Sequence, residues 1–242
     1  SVIAGYLEGV VDGPAFMAAA AAASRKKPIV IIKSGATSSG SKAAASHTGT
    51  LAGSDRAYET ALKQSGVIRV SSIQDLLGFS NALATQQLPT SDGVAVVTNA
   101  GGLGILAADA IEQHGLTLTR LEDVIGDADA KRYGLAIDAA LDDPKVGSLL
   151  IILTPQSSTE TVATAETLIE LCKAKNHGKA ILTSFMGRES VHASHETLVE
   201  HSIPNFDEPA NAVRAIAAMR SRAKWLEQTS ADQVGHVEEE FD

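Results

Sequence analysis

The chain has 242 residues, 44% hydrophobic and 20% charged, with a formal net charge of −9 at neutral pH. That balance describes a globular chain with a sizeable core. The acidic excess leaves no basic stripe to displace phosphate counterions, which argues against nucleic-acid partners, and no apolar run reaches the ~18 residues of a membrane span.

Strand and helix patterns alternate along the whole chain, the signature of parallel α/β layers. Residues 2–7 read as a buried strand, and Gly13 to Lys26 as an alanine-rich helix with Pro14 in its first turn, where the missing N–H costs nothing. Pro28 to Lys33 is a β-branched run, the mark of a strand covered on both faces. A small-residue loop from Ser34 to Gly53 follows, then a helix over 54–64, a strand over 67–70 and a helix over 72–84. Gln86 to Gly93 is polar with Pro89 and Gly93, and reads as a linker.

A second series starts with a strand over 94–98 and the turn Asn99-Ala-Gly-Gly-Leu-Gly104, which opens a helix to His114. The pattern then predicts a strand over 116–118, an irregular junction over 120–129 and a helix over 130–141. Further on it predicts strands at 148–154, 179–184 and 203–205, with helices over 158–174, 189–201 and 208–226. Two doubly wound parallel-sheet domains of the flavodoxin-like kind are expected, over residues 1–87 and 92–226. Residues 227–242 lose the apolar period and are expected to form a flexible tail or linker. The opening directly on a strand pattern suggests a part of a longer polypeptide. The single cysteine, Cys172, lies in an apolar helical pattern as core filler, which fits a reducing, cytoplasmic setting.

Ligands in this architecture bind at the carboxyl ends of parallel strands. The loop after the second strand carries His47 within Lys42-Ala-Ala-Ala-Ser-His-Thr-Gly-Thr-Leu-Ala-Gly53, where nothing can bury it. Ser46 and Thr48 flank it with hydroxyls, and Gly49 lets the backbone come close to a ligand. An imidazole presented this way is an available nucleophile, or simply an exposed loop histidine. Glu8 follows the adjacent first strand, so its carboxylate could accept a ring N–H and orient His47; the alternative is a solvated strand end. In the second series, Asn99, Gly101 and Gly102 offer backbone N–H groups to an anion at a helix start, or form a tight packing turn. Thr154, Gln156 and Ser157 stand before the next helix in the same two guises, anion cradle or cap.

One rival pattern is Gly102-Leu-Gly-Ile-Leu-Ala107, which fits G-x-G-x-x-A after a strand, with Glu122 ~20 residues on. It suggests, weakly, a dinucleotide-binding oxidoreductase. No metal site is expected: His192 and His195 share a helix face, but no third ligand is in register.

Taken together, the chain resembles the NDP-forming acyl-CoA synthetases, the family of ADP-forming acetyl-CoA synthetase and succinyl-CoA synthetase. The resemblance is carried by Tyr6-Leu-Glu-Gly9, Lys27-Pro-Ile-Val-Ile-Ile-Lys-Ser-Gly35, Ser46-His-Thr-Gly-Thr-Leu-Ala-Gly53 and Val97-Thr-Asn-Ala-Gly-Gly-Leu-Gly104. It continues through Val124-Ile-Gly-Asp-Ala128, Ile152-Leu-Thr-Pro-Gln156, Ser184-Phe-Met-Gly187 and Ile203-Pro-Asn-Phe206. It implies that His47 carries phosphate between an acyl phosphate and ADP, that Glu8 steadies it, and that helix N-termini hold the phosphate. It also implies an ATP-grasp domain or subunit, a CoA-binding domain upstream, acyl-CoA and phosphate as reactants, Mg2+ with ATP or ADP in the ATP-grasp part, and an oligomer. The transient phosphate on His47 is the only covalently bound group implied, and this chain alone should not turn over. The family's longer loop ending in Asn-Pro-x-Asp is absent before Val124. A second reading within the resemblance is a regulatory module of a protein acetyltransferase.

Overall fold

Runs of β-branched and leucine residues become strands whose every side chain is buried, and these strands set the frame for everything else. The computed structural model describes residues 1–37, 39–40, 54–175 and 178–238. The chain divides into two compact units, residues 1–84 with 221–242, and residues 85–220.

In the first unit, β1 (Ile3–Leu7), β2 (Ile29–Lys33) and β3 (Val67–Val70) form a parallel sheet in that order. All of β2 is buried, as its uninterrupted β-branched run requires. The register sets Leu7 beside Lys33 and Ile31 beside Arg69, so these strands finish near one another at a common edge. Helix α1 (Gly13–Lys26) starts on Asp12, whose carboxylate accepts the Ala15 N–H at 2.9 Å, with Pro14 in the first turn. Helices α2 (Asp55–Gln64) and α3 (Ile73–Thr85) follow the predicted spans to within a residue.

In the second unit, β4 (Gly93–Thr98), β5 (Thr117–Asp123), β6 (Ser148–Leu153) and β7 (Ala180–Phe185) are all parallel, in the order β5-β4-β6-β7. Strand order reverses at β4, which places the ligand-binding crevice of a doubly wound sheet beside Asn99. The connecting helices are α4 (Gly101–Gln113), α5 (Ala130–Asp142), α6 (Thr161–Ala174) and α7 (His192–Glu200), the last preceded by a 3-10 turn at Arg188–Val191. Leu149, Ile151 and Leu153 of β6 pack with Tyr133 and Ile137 of α5 and Leu168 and Ile169 of α6 in one buried cluster. The expected α/β class with two parallel-sheet units is borne out.

Tyr133 is fully buried in that cluster and donates its hydroxyl proton to the Ile152 carbonyl at 2.8 Å. Burial pushes its phenol far above the ordinary tyrosine range. Tyr133→Phe should destabilise the fold by about 1–2 kcal/mol, since it removes a made bond and leaves the carbonyl acceptor short. Chemical denaturation of both proteins checks this, and an unchanged midpoint would contradict it.

Several expectations are corrected. β1 is not the buried strand its apolar run suggested: it lies at the edge of its sheet, and Ile3 and Tyr6 are exposed. The strand after Gly115 is not the short 116–118 segment but β5 through Asp123, so the irregular junction begins only at Val124. β5 is an edge strand whose pairing shifts between Val94 and Ala95, and an edge tolerates the charged Arg120, Glu122 and Asp123 that blurred its pattern. Residues 203–205 form no strand but a single bridge, Thr183 with Asn205, because Pro204 has no N–H to extend the ladder. Helix α6 starts at Thr161, three residues later than the pattern suggested.

Lastly, residues 227–238 are helical. They continue α8 (Pro209–Glu238), in which Glu, Gln and Ala have enough helix propensity to carry the turn without an apolar stripe. The residues of α8 from Ser221 onward group with the first unit. Trp225 shows why: its indole N–H donates to the Gln64 carbonyl at 3.0 Å, and its ring lies over Gly66. Gly66 has φ of 70°, and a Cβ there would stand 2.5 Å from the indole, so both its backbone and its neighbour require glycine. Arg222 of the same helix is buried and donates to the Ser24 carbonyl at 2.9 Å, a cation near the C-terminus of α1.

Candidate functional site

The strand ends of the first unit gather an unusual density of charge. Glu8 is the first residue beyond β1, and Lys33 is the last residue of β2. The Ser34 N–H donates to the Leu7 carbonyl at 3.0 Å, so the two chain segments leave the sheet side by side. Lys33 is only 5% exposed; its ammonium donates to the Ser34 carbonyl and stands 4.3 Å from the centre of the Tyr58 ring. Burial lowers its pKa, as does the Arg69 guanidinium, while Asp55 and Glu8 raise it. Tyr58 comes from α2, and its hydroxyl oxygen accepts the Val10 N–H at 3.0 Å.

Arg69 of β3 clamps the first turn of α2. It reaches Asp55 at 2.5 Å and Glu59 at 3.0 Å. Its hydrogen bond holds the Asp55 carboxyl below the usual aspartate range, and the same bond raises Arg69. The result is an electrostatic frame around the carboxyl edge of the sheet, built from all three strands and α2. His47, Ser46, Thr48 and Gly49 lie outside the described residues.

In the second unit, Asn99 bridges the ends of β4 and β6. Its amide nitrogen donates to the Thr154 carbonyl at 2.8 Å, while its oxygen accepts the Thr154 N–H at 2.9 Å. Asn99 is 3% exposed, so its main work is to pin the two strand ends together. Gly101 is the first residue of α4, and the Asp123 carboxylate lies against it: a Cβ on Gly101 would be 2.7 Å from an Asp123 oxygen. That carboxylate already answers the positive end of the helix. Gly102 is open, with nothing within 4 Å of where a side chain would begin. The cap residue Ala100 offers no side chain to the first N–H groups of α4.

Thr154, Gln156 and Ser157 do not open a helix as expected. Gln156 and Ser157 lie in a turn closed by Thr159, whose N–H donates to the Gln156 carbonyl at 3.0 Å and whose hydroxyl accepts the Gln156 N–H at 2.9 Å. The cap of α6 is Glu160, a carboxylate that accepts the Ala130 N–H at 3.2 Å, so the helix-dipole argument does not reach Thr154 to Ser157. The Gln156 side chain instead packs against Gly126, 2.8 Å from where a Cβ would stand. Asn99, Asp123, Gly126 and Gln156 thus share the crevice where the strand order reverses.

The dinucleotide pattern fares poorly in this geometry. α4 already begins at Gly101, so Gly102 and Gly104 lie within its first turns, not in the turn before it. Gly104 is buried against Leu121 and Thr98, a packing role, and Asp123 stands where a pyrophosphate would need to go. Among the described residues, no three or more His, Cys, Asp or Glu side chains are grouped to hold a metal ion. Nor is any described helix long and apolar enough to cross a membrane. Cys172 is half-buried against the core, where burial pushes its thiol up to about 11.

Comparison with known proteins places this geometry. Residues 1–83 match the model of the succinyl-CoA ligase like flavodoxin domain. Over 92% of its length the chain is 38% identical to "Acetate--CoA ligase [ADP-forming] I" of Archaeoglobus fulgidus. Over 91% it is 36% identical to the α subunit of "Acetate--CoA ligase [ADP-forming] I" of Pyrococcus furiosus. The chain is a relative of the ADP-forming acid–CoA ligases. A solved structure of one such ligase, the dinucleotide forming acetyl-coenzyme A synthetase 1 of Ca. Korarchaeum cryptofilum in complex with phosphate and ADP, superposes with a TM-score of 0.88. It is 27% identical and covers 96% of this chain. Against these ligases the chain is short. It spans 34% of the Archaeoglobus protein, 52% of the Pyrococcus subunit and 55% of the Korarchaeum chain.

Set beside the ligase resemblance, sequence reasoning missed Lys33, Tyr58, Asp55 and Arg69. A signal existed for the first: a lysine ending an otherwise wholly apolar strand is buried at a cost, and such a cost marks a site. For Tyr58 there was none, since its contact with Val10 spans 48 residues of chain.

Proposed function

We propose that this chain is part of an NDP-forming acyl-CoA synthetase, catalysing acyl-CoA + ADP + phosphate ⇌ carboxylic acid + CoA + ATP. The observation that carries the reading is the likeness to ADP-forming acetate–CoA ligases across more than nine-tenths of the chain, in sequence and in fold. Phosphate first displaces CoA from the acyl-CoA, giving an acyl phosphate. A ring nitrogen of His47 then attacks phosphorus, the bond to the carboxylate oxygen breaks, and the acid leaves. Finally an oxygen of ADP takes the phosphoryl group, giving ATP and regenerating the neutral imidazole. Such transfers need positioning and charge neutralisation more than covalent machinery.

In this reading Glu8 accepts one ring N–H of His47 and leaves the other nitrogen free to attack. Ser46, Thr48 and Gly49 line the phosphoryl group. In the second unit, Gly102 at the open side of the start of α4 is the better anion donor, since the Asp123 carboxylate already fills the place beside Gly101. Asn99, Thr154, Gln156 and Ser157 shape the crevice around it. Magnesium enters with ATP or ADP on an ATP-grasp domain or subunit, and CoA binds a further domain of the same enzyme. The setting is cytoplasmic, the assembly oligomeric, and this chain is inactive by itself.

The complete enzyme, given an acyl-CoA, ADP, phosphate and magnesium, should release CoA and ATP in equal amounts. CoA release with no ATP would oppose the reading. Glu8→Gln should slow phosphorylation of the enzyme about tenfold to a hundredfold without abolishing it, because orientation assists the transfer and is not its chemistry. A single-turnover rate equal to wild type would reassign Glu8 to structure.

A further inference from the structure

The frame around Glu8 contains one side chain that a solely structural account does not need. Lys33 is a cation at 5% exposure, at the end of a strand buried along its whole length. An aliphatic residue there would continue the β-branched run without desolvating a charge. Its described contacts are a carbonyl, that of Ser34, and an aromatic face, that of Tyr58 at 4.3 Å. Both contacts lead to the same place. Ser34 is bonded through its N–H to Leu7, the residue before Glu8. Tyr58 is bonded through its hydroxyl to Val10, two residues after Glu8.

We infer that Lys33 is a positioning residue for Glu8: its ammonium, held under the Tyr58 ring, fixes the segment from Leu7 to Val10 and so aims the Glu8 carboxylate. The inference rests on the phosphohistidine reading and adds to it the device that keeps the orienting carboxylate in place. Three elements contribute to this device. β2 supplies the ammonium, α2 supplies the ring that covers it, and the backbone just beyond β1 is tied on both sides of Glu8. Among the described residues, the charges around the ammonium are Glu8, Asp55 and Arg69. Arg69 is engaged by Asp55 and Glu59, which fixes the like charge nearest Lys33 in one place. A cation over a tyrosine face is also held by the ring quadrupole, an interaction strengthened when water is excluded.

The test uses the complete enzyme and single-turnover phosphorylation by labelled ATP with magnesium. Lys33→Met keeps the length and loses the charge. It should phosphorylate to the wild-type endpoint, with His47 intact, but about tenfold to a hundredfold more slowly. Lys33→Arg should recover a large part of the rate, because it restores a cation over the ring. In a Glu8→Gln background, Lys33→Met should cost less than about twofold more, since the residue it positions is gone. A merely structural lysine would give the same fold loss in both backgrounds, and that result overturns the inference. So does a wild-type rate in Lys33→Met. Tyr58→Phe keeps the ring but drops the acceptor for Val10, and should slow the step by about threefold to tenfold. Should Lys33→Met fail to fold, Tyr58→Phe decides alone, and a wild-type rate there overturns the inference. If wild-type enzyme acquires no acid-labile phosphate, the underlying reading falls and the inference with it. If it does acquire phosphate, a failure in the variants belongs to the inference alone.

Discussion

His47→Asn is expected to leave a folded enzyme that takes up no phosphate. Asparagine is close to histidine in size and polarity, but its amide nitrogen has no lone pair free to attack phosphorus. The rate of ATP formation should fall by about a thousandfold or more, as expected when the group that carries a covalent intermediate is removed. Thermal unfolding should not change, since asparagine matches histidine in polarity and the neighbours Ala45, Ser46, Thr48 and Gly49 are all small. The pairing of these two readouts matters. Loss of activity with loss of folding would say nothing of chemistry, whereas loss of activity alone assigns His47 to the transfer. Normal phosphate incorporation in the variant would sink the mechanism.

The second large effect concerns stability. Gly93 opens β4 at a point where another segment crosses its backbone. A Cβ on Gly93 would stand 1.9 Å from the Lys145 carbonyl oxygen and 2.9 Å from a Thr119 methyl. The Gly147 N–H also donates to the Gly93 carbonyl at 2.8 Å, which holds that segment in place. Neither main-chain group can turn aside as a flexible side chain would. Gly93→Ala should therefore cost about 3 kcal/mol or more, and lower the melting temperature by about 10 °C. Gly102→Ala is the internal control, because nothing lies within 4 Å of its new methyl and alanine suits a helix better. Equal melting of Gly93→Ala and wild type would contradict the close approach of Lys145 to β4.

Much of this fold was legible because β2, β4, β6 and β7 are buried on both faces. Pro28 to Lys33 and Ser148 to Leu153 can be little else than central strands, and β2 and β6 lie there with every residue buried. The edge was harder. β5 mixes Leu118 and Leu121 with Arg120, Glu122 and Asp123, and only its partner β4 shows that the strand extends to Asp123. The end of α8 was misread for a related reason: a helix held by Trp225 at one point needs no continuous apolar stripe. Gly93, read as linker, belongs to β4 because of contacts with Thr119 and Lys145 that local sequence does not carry.

The candidate site divides along the same line. Glu8 was visible as a carboxylate at a strand end, and it lies beside the end of β2 as the register requires. Thr154 to Ser157 looked like a helix start because hydroxyls and Pro155 favour one. The turn closed by Thr159 delays the helix to Thr161 and puts Glu160 at its cap. The tie between Asn99 and Thr154 joins residues 55 apart in the chain, so Asn99 read as a ligand donor and is a strand clamp first.

The most direct test of the central claim is to phosphorylate the complete enzyme with labelled ATP and magnesium, then map the label by peptide. Phosphate that is acid-labile, alkali-stable and located on His47 is the predicted result. Absence of label, from enzyme shown to bind nucleotide, would contradict the phosphoryl relay and shift the weight to a regulatory module without ligase turnover.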